Sequence, residues 1–243
     1  MTPLPGLSAP PPTPSRPPKP SRPPTIDRRG GIPAILLCLA SGIADAIGYV
    51  QSGVFAANMT GNTVLAGLSV AGGNWSTALE RALTLATFFV GALLGRTLLR
   101  AAHGRSWLAL ATEAAMLAGA TFLDPHGATA IWVIAAAMGV QSTGMTRFGN
   151  VSINTVVITG TLSRLAESTV DTIVPRRQPH RTGPAITAPS LLAASWIFYG
   201  IGALAAAWLL PRTAYTLLLP AAVVLATALL SLRQTRNIVP TSG

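Results

Sequence analysis

Apolar stretches separated by short polar or basic segments run through most of this 243-residue chain. The first lies at about residues 32–54, and five more lie near 78–99, 106–123, 128–146, 189–210 and 214–232. Each is close to the roughly 20 residues that an α-helix needs to cross a bilayer. The pattern therefore predicts an all-α membrane protein with six transmembrane helices.

A short polar motif interrupts this apolar pattern twice. Residues 58–64 read NMTGNTV and residues 157–163 read VITGTLS, so a Thr-Gly pair recurs 99 residues later. Each motif follows the first apolar stretch of a group of three. Each also opens an apolar segment that is too short to cross a membrane, at about residues 60–72 and 159–170. We predict a broken or short half-helix at both places, which is tolerated at membrane depth where protein covers its backbone.

Three spans in each half place the second half upside down relative to the first. The chain is therefore predicted to form two inverted repeats, at about residues 32–123 and 128–232, within a membrane domain of residues 32–235. Matched helix breaks in inverted halves are typical of secondary transporters, whose sites lie near the bilayer midplane. Outside this domain we expect a proline-rich basic tail at residues 1–31 and a short tail at residues 236–243.

Composition and charge agree with a membrane protein. Only 10% of residues are charged and the mean hydropathy is +0.51, whereas a soluble domain has about 25% charged residues. With the N-terminus inside, fifteen of the 17 Lys and Arg residues fall inside, all except Arg81 and Arg212. This bias predicts that both termini are cytoplasmic. It also explains the net charge of +10 without a nucleic-acid partner.

Two basic, proline-containing segments lie outside the predicted helices. Residues 1–31 contain eleven prolines and five cations, so we expect an extended, disordered arm. Alternatively, the arm binds a proline-reading domain or anionic lipid. An insertion at residues 174–188 is expected to be a solvated cytoplasmic loop, with a regulatory or lipid contact as the alternative.

The polar motifs contain most of the candidate binding residues. Glycine lets the backbone leave helical geometry, and the start of the following half-helix attracts an anionic group. Alternatively, the polar side chains only cap the half-helix and the small residues only allow close packing. The candidate solute-binding residues are Asp45, Asn58, Thr60, Gly61, Asn62, Gln141, Thr159, Gly160 and Thr161.

Three charged residues are candidates for coupling or charge pairing. Asp45 lies near the middle of the first apolar stretch, where a carboxylate is costly unless it is neutral or paired. It suits either proton coupling or a static, hydrogen-bonded anchor. Glu113 lies in the third stretch and could pair with Arg96 or Arg147. Arg147 could instead bind an anionic solute, or be an ordinary topology arginine in the last turn of the fourth helix.

Several classes of site are not expected. Cys38 is the single cysteine, so an intramolecular disulfide is impossible. The three histidines, His103, His126 and His180, lie in separate connecting segments. No hydrolase, phosphate-loop or dinucleotide motif is present. We therefore expect no metal, no cofactor and no enzymatic activity.

Two blocks of sequence resemble a known family. Residues 40–49 read ASGIADAIGY and residues 55–64 read FAANMTGNTV; a second signature is AMGVQ at residues 137–141 with TVVITGTL at residues 155–162. These blocks resemble the YoaK family of bacterial integral membrane proteins, and the similarity covers about residues 32–235. The resemblance implies a multi-pass protein of the bacterial cytoplasmic membrane with no established substrate.

Two functions fit these observations. The first is a carrier for a small, possibly anionic, solute, with its site at the two Thr-Gly motifs. The second is a membrane scaffold or sensor that transports nothing and whose basic loops contact lipid or a partner protein. A homodimer is plausible for either.

Overall fold

The computed structural model describes residues 28–144, 147–148, 151–152, 158–173 and 187–236. In chain order the elements are α1 (Arg28–Ser52), α2 (Met59–Ala71), α3 (Trp75–Ala101), α4 (Trp107–Ala120), α5 (Ala128–Gly144), β1 (Arg147–Phe148), β2 (Val151–Ser152), α6 (Ile158–Ile173), α7 (Thr187–Leu209) and α8 (Leu218–Arg236). Within the described residues the regular structure is helical apart from β1 and β2, which have two residues each and pair antiparallel.

A helix occupies each of the six apolar stretches and both short segments after the motifs. By length and composition, three helices of the described part can cross a membrane: Gly31–Ser52, Trp75–Ala101 and Ser190–Leu209. The helices Trp107–Ala120, Ala128–Gly144 and Leu218–Arg233 are shorter but also apolar. In the most apolar 18-residue stretch of each helix, 67% is buried inside the protein for α1, against 17% for α3 and 28% for α7. Hence α1 is the central helix, and α3 and α7 expose most of their apolar surface.

The first helix begins earlier than predicted, and the predicted tails and insertion lie largely outside the described residues. Helix α1 begins at Arg28, so the predicted tail ends before residue 31. The rest of that tail, at residues 1–27, lies outside the described residues. So do residues 174–186, which make up most of the predicted insertion, and residues 237–243 of the C-terminal tail.

The helices pack in a regular set of pairs. Helix α1 packs on α7, and α3 packs on α5. Helix α2 lies on α3, as α6 lies on α7. Helix α1 also contacts α8, as α5 contacts α4, while α4 packs on α8 and α1 touches α5. Helices α2 and α6 do not pack closely on each other in the described part of the chain.

Glycines set the two closest helix crossings. A Cβ added at Gly42 of α1 would lie 2.0 Å from the Tyr199 carbonyl oxygen of α7. A Cβ at Gly91 of α3 would likewise lie 2.0 Å from the Ala136 carbonyl oxygen of α5. Backbones this close are typical of membrane helices that pack through small residues. In both the α1–α7 and the α3–α5 crossing, a glycine therefore lets the two helix backbones touch directly.

The chain turns back along α1 before α2 begins. Helix α1 ends where Gly53 takes a φ of +65°, a left-handed conformation that glycine adopts without steric cost. The following segment then packs on α1, because a Cβ at Gly48 would lie 2.7 Å from the Val54 carbonyl oxygen. Helix α2 consequently starts beside Asp45, which precedes Ser52 by about two turns, or about 10 Å.

Candidate functional site

The carboxylate of Asp45 fixes the returning segment to α1. Its Oδ1 accepts hydrogen bonds from the backbone N–H of Ala57 at 2.5 Å and of Asn58 at 3.1 Å. Its Oδ2 accepts one from the Tyr199 hydroxyl of α7 at 2.5 Å. Only 3% of Asp45 is exposed. The charge is thus distributed over three donors, two of which would otherwise be unpaired backbone groups ahead of a helix.

Asn62 fixes the same segment from the other side. Its Oδ1 accepts from the Phe55 N–H at 2.9 Å, and its Nδ2 donates to the Phe55 carbonyl at 2.7 Å. The side chain is fully buried. Because Phe55 lies in a bend outside any helix, its backbone N–H and carbonyl lack helical partners, and Asn62 supplies both hydrogen bonds. Asn62 is therefore part of the structure that holds the bend.

Asn58 and Gly61 form the start of α2. The Asn58 Oδ1 accepts from the Gly61 N–H at 3.0 Å, which is the geometry of a helix N-cap. A Cβ at Gly61 would lie 2.9 Å from the Asn58 Nδ2 and 3.0 Å from the Phe55 ring. The glycine thus leaves room for the cap and for the ring of Phe55, which stacks on Tyr49 with ring centroids 4.7 Å apart.

Thr60 is the exposed member of the first motif. Neither its backbone N–H nor its hydroxyl makes a hydrogen bond with any described residue. The hydroxyl and N–H therefore remain open for a ligand at the positive end of α2. Asn58, also exposed, lies directly before them.

The second motif opens α6, as the first opens α2. Thr159, Gly160 and Thr161 lie in the first turn of the helix Ile158–Ile173, and Gly160 is exposed. The side chains of Thr159 and Thr161 lie outside the described part. The two motifs begin helices on different partners, since α2 packs on α3 and α6 on α7.

Gln141 joins α5 to α1. Its Nε2 donates to the Leu37 carbonyl at 3.1 Å and to the Ser41 hydroxyl at 2.8 Å. The residue is fully buried. These bonds give Gln141 a helix-packing role that the sequence pattern did not distinguish from ligand binding.

Glu113 and Arg147 lie on different elements from the two motifs, in α4 and in β1. Glu113 of α4 is fully buried, and neither of its carboxylate oxygens has a hydrogen-bond partner among the described residues. The expected pairing with Arg96 is therefore not observed. Arg147 lies in β1 rather than in the last turn of the fourth helix, because α5 already ends at Gly144. The Arg147 side chain is outside the described part.

Two residues of this region were not predicted from the sequence. Tyr199, the partner of Asp45, is 154 residues away along the chain, so no local pattern could identify it. Arg81 donates to the Leu65 carbonyl and to the Ser69 hydroxyl, and so ties the later turns of α2 to α3. Its charge, next to Glu80 near the start of an otherwise apolar helix, was the available signal.

A metal centre is not indicated in the described residues, where no three His, Cys, Asp or Glu side chains cluster. The chemistry that the region offers is hydrogen bonding. It combines a buried, hydrogen-bonded carboxylate with an exposed hydroxyl and amide at the start of a half-helix.

Comparisons with known proteins agree with this architecture. A match to the family described as "Protein of unknown function (DUF1275)" spans residues 33–230. The chain belongs to the DUF1275 family. The UPF0700 transmembrane protein YoaK of Bacillus subtilis (strain 168) is 36% identical over 143 residues, which cover 54% of this chain and 64% of the relative. The aligned part thus spans somewhat less than two thirds of that relative. No solved structure matches.

Membership confirms the YoaK-type resemblance of the two sequence blocks. The DUF1275 chain is accordingly a membrane protein, in agreement with its apolar helices. Neither the family description nor the name of the relative states a substrate or an enzymatic activity.

Proposed function

We propose that this DUF1275 protein is a secondary carrier for a small, anionic solute in the bacterial cytoplasmic membrane. The observation that carries the proposal is the start of α2 beside the buried Asp45, with the Thr60 hydroxyl and N–H exposed. A helix N-terminus of this kind favours an anionic group. In carriers, such helix breaks line the solute site.

The pairing of the helices supports an inverted-repeat architecture. Exchanging α1, α2, α3 and α4 for α5, α6, α7 and α8 converts each main contact into another main contact or into itself, apart from the smaller contact of α3 with α4. The same exchange relates Gly42 of α1 to Gly139 of α5, where an added Cβ would lie 2.1 Å from the Phe88 carbonyl oxygen of α3. Alternating access by rocking of one half against the other is the motion that this arrangement favours.

In this proposal the first motif is the better-defined half of the solute site. Thr60 and Asn58 offer donors to an anion, while Asp45 and Asn62 position the bend that presents them. Thr159, Gly160 and Thr161 would provide the equivalent surface at α6. The bonds to Asp45 favour its anchor role over proton coupling, since a proton on the carboxylate would displace one of three donors.

The rival function is a membrane scaffold or sensor. It is favoured by one observation: the hydrogen-bonding groups of Asn62 are engaged within the fold and the side chain is fully buried. A packed motif needs no solute.

Transport by purified protein in liposomes tests the proposal. The probes are inorganic phosphate, acetate and succinate, each radiolabelled, with empty liposomes as the control. A carrier gives saturable uptake of at least one probe, and Asp45→Asn, whose amide can still hydrogen-bond to the bend, should leave that uptake largely intact. Uptake equal to that of empty liposomes for all three, by protein with a cooperative unfolding transition, would favour the scaffold.

A further inference from the structure

The two intramembrane carboxylates of this protein have opposite surroundings. Asp45 accepts three hydrogen bonds, two from backbone N–H groups and one from the Tyr199 hydroxyl. Glu113 is fully buried and neither oxygen has a partner in the described part of the chain. A charged carboxylate without partners in an apolar interior costs several kcal/mol, so such a group is held neutral by a proton.

The helices packed on α4 are α3, α5 and α8, and among their described side chains no cation compensates Glu113. Helix α5 contains no ionisable residue. Four arginines with described side chains lie in the later part of α3, in the α3–α4 turn or near the end of α8, and all four are exposed: Arg96, Arg100, Arg105 and Arg233. Glu80 and Arg81 lie at the other end of α3. None of these groups bonds to Glu113.

A small cavity lies at the C-terminal end of α4, two helical turns beyond Glu113. It has a volume of about 60 Å³ and is lined by residues of α1, α5 and the turns around α4 and α8, including Gln51, Thr121 and Thr216. This space, here called the vestibule, admits a few water molecules, and its three polar side chains can bind them.

The vestibule and Glu113 share one face of α4. Ala120 lines the vestibule and follows Glu113 by seven residues, which is two helical turns or about 10 Å. Leu117, one turn from Glu113 on this face, is fully buried between them. A shift of Leu117 would therefore connect the carboxyl group to the vestibule water.

We infer that Glu113 is a buried proton-binding site, reached through the vestibule, and that it exchanges a proton while Asp45 remains a fixed anchor. In the exchange, the carboxyl O–H bond breaks, the proton passes to a vestibule water, and the carboxylate remains until water returns a proton. Coupling of this proton to solute movement rests on the proposed carrier function; the proton site itself does not.

Infrared spectroscopy of the full chain in lipid nanodiscs tests the site. Glutamate labelled with ¹³C at the side-chain carboxyl isolates the carbonyl band of protonated glutamic acid from the aspartates. At neutral pH we expect this band in the wild-type protein and in Glu167→Gln, an exposed-site control, and its loss in Glu113→Gln. Absence of the band in the wild-type protein would overturn the inference even if Glu113→Gln failed to fold.

Exchange of the same band in D₂O tests the route. Ala120→Leu, which fills the vestibule, should slow the deuterium shift several-fold, whereas Ala115→Leu on the exposed side of α4 should not. Equal exchange in both variants would overturn the route. Persistence of the band without any solute-dependent proton flux would contradict coupling of this proton to solute movement and support the proton site alone.

Discussion

The Tyr199 hydroxyl donates a 2.5 Å hydrogen bond to the Asp45 Oδ2, across the contact between α7 and α1. The other carboxylate oxygen of Asp45 binds the backbone ahead of α2. The bend that precedes the first Thr-Gly motif is therefore attached, through one side chain, to a helix from the other end of the chain.

Asp45→Ala should destabilise the protein strongly. The change leaves two backbone N–H groups and the Tyr199 hydroxyl without their acceptor, and each buried unpaired donor costs about 1–3 kcal/mol. Tyr199→Phe removes one of the three bonds to the carboxylate and should cost less than Asp45→Ala, about 1.5–3 kcal/mol. Reversible unfolding in mixed micelles measures both. Equal, small losses for the two variants would show that Asp45 does not anchor the bend.

Asn62→Ala should release Phe55 and loosen the start of α2. Both backbone groups of Phe55 lose a buried partner, with an expected loss of about 2 kcal/mol or more. Thr63→Ala is the matched control, because Thr63 is exposed and bonds only within its own helix, to the Met59 carbonyl. Hydrogen exchange of the Phe55 N–H should accelerate in the first variant and stay unchanged in the second.

The sequence was sufficient for the features that depend on local pattern. Apolar windows located six helices, and the glycine-containing motifs located the beginnings of α2 and α6. The burial of Asp45 followed from the cost of a carboxylate among apolar residues. These properties are set by the composition of one segment.

The partners of the site residues could not be predicted in this way. The bonds from Tyr199 to Asp45 and from Gln141 to Leu37 join segments more than 100 residues apart, and periodicity contains no information on such pairs. The predicted place of Arg147, in the last turn of the fourth helix, was wrong, because α5 ends at Gly144 and Arg147 lies in β1. The lack of a partner for Glu113 is equally a property of the packed helices.

Two glycines of α7 provide a matched test of the helix crossing. A Cβ at Gly202 would lie 2.2 Å from the Leu39 carbonyl oxygen of α1, whereas at Gly200 it would meet nothing within 4 Å. Gly202→Ala should therefore force the helices apart and cost about 1–3 kcal/mol. Gly200→Ala should be neutral or slightly stabilising. If both variants unfold like the wild-type protein, the α1–α7 crossing is not the tight contact described.

The orientation of the protein is testable with reporter fusions. The distribution of Lys and Arg predicts cytoplasmic termini and six crossings. A reporter joined after residue 125, in the α4–α5 turn, should be active outside the membrane, and one joined after residue 235 should be active inside. Activity of both fusions on the same side would contradict the inverted arrangement.

Accessibility of Thr60 to water separates the carrier from the scaffold without knowledge of the solute. Cys38 is the single cysteine and is buried, so Cys38→Ala gives a background without thiols. Thr60→Cys is then compared with Phe89→Cys, whose site on the middle of α3 is 63% exposed and apolar. The reagent is an anionic, membrane-impermeant methanethiosulfonate.

In intact membranes we expect the thiol at position 60 to be modified and the thiol at position 89, which faces lipid, to remain unmodified. Modification should slow when a transported anion is present, because both occupy the start of α2. A thiol at position 60 that reacts only after denaturation would contradict a water-filled solute site at this motif.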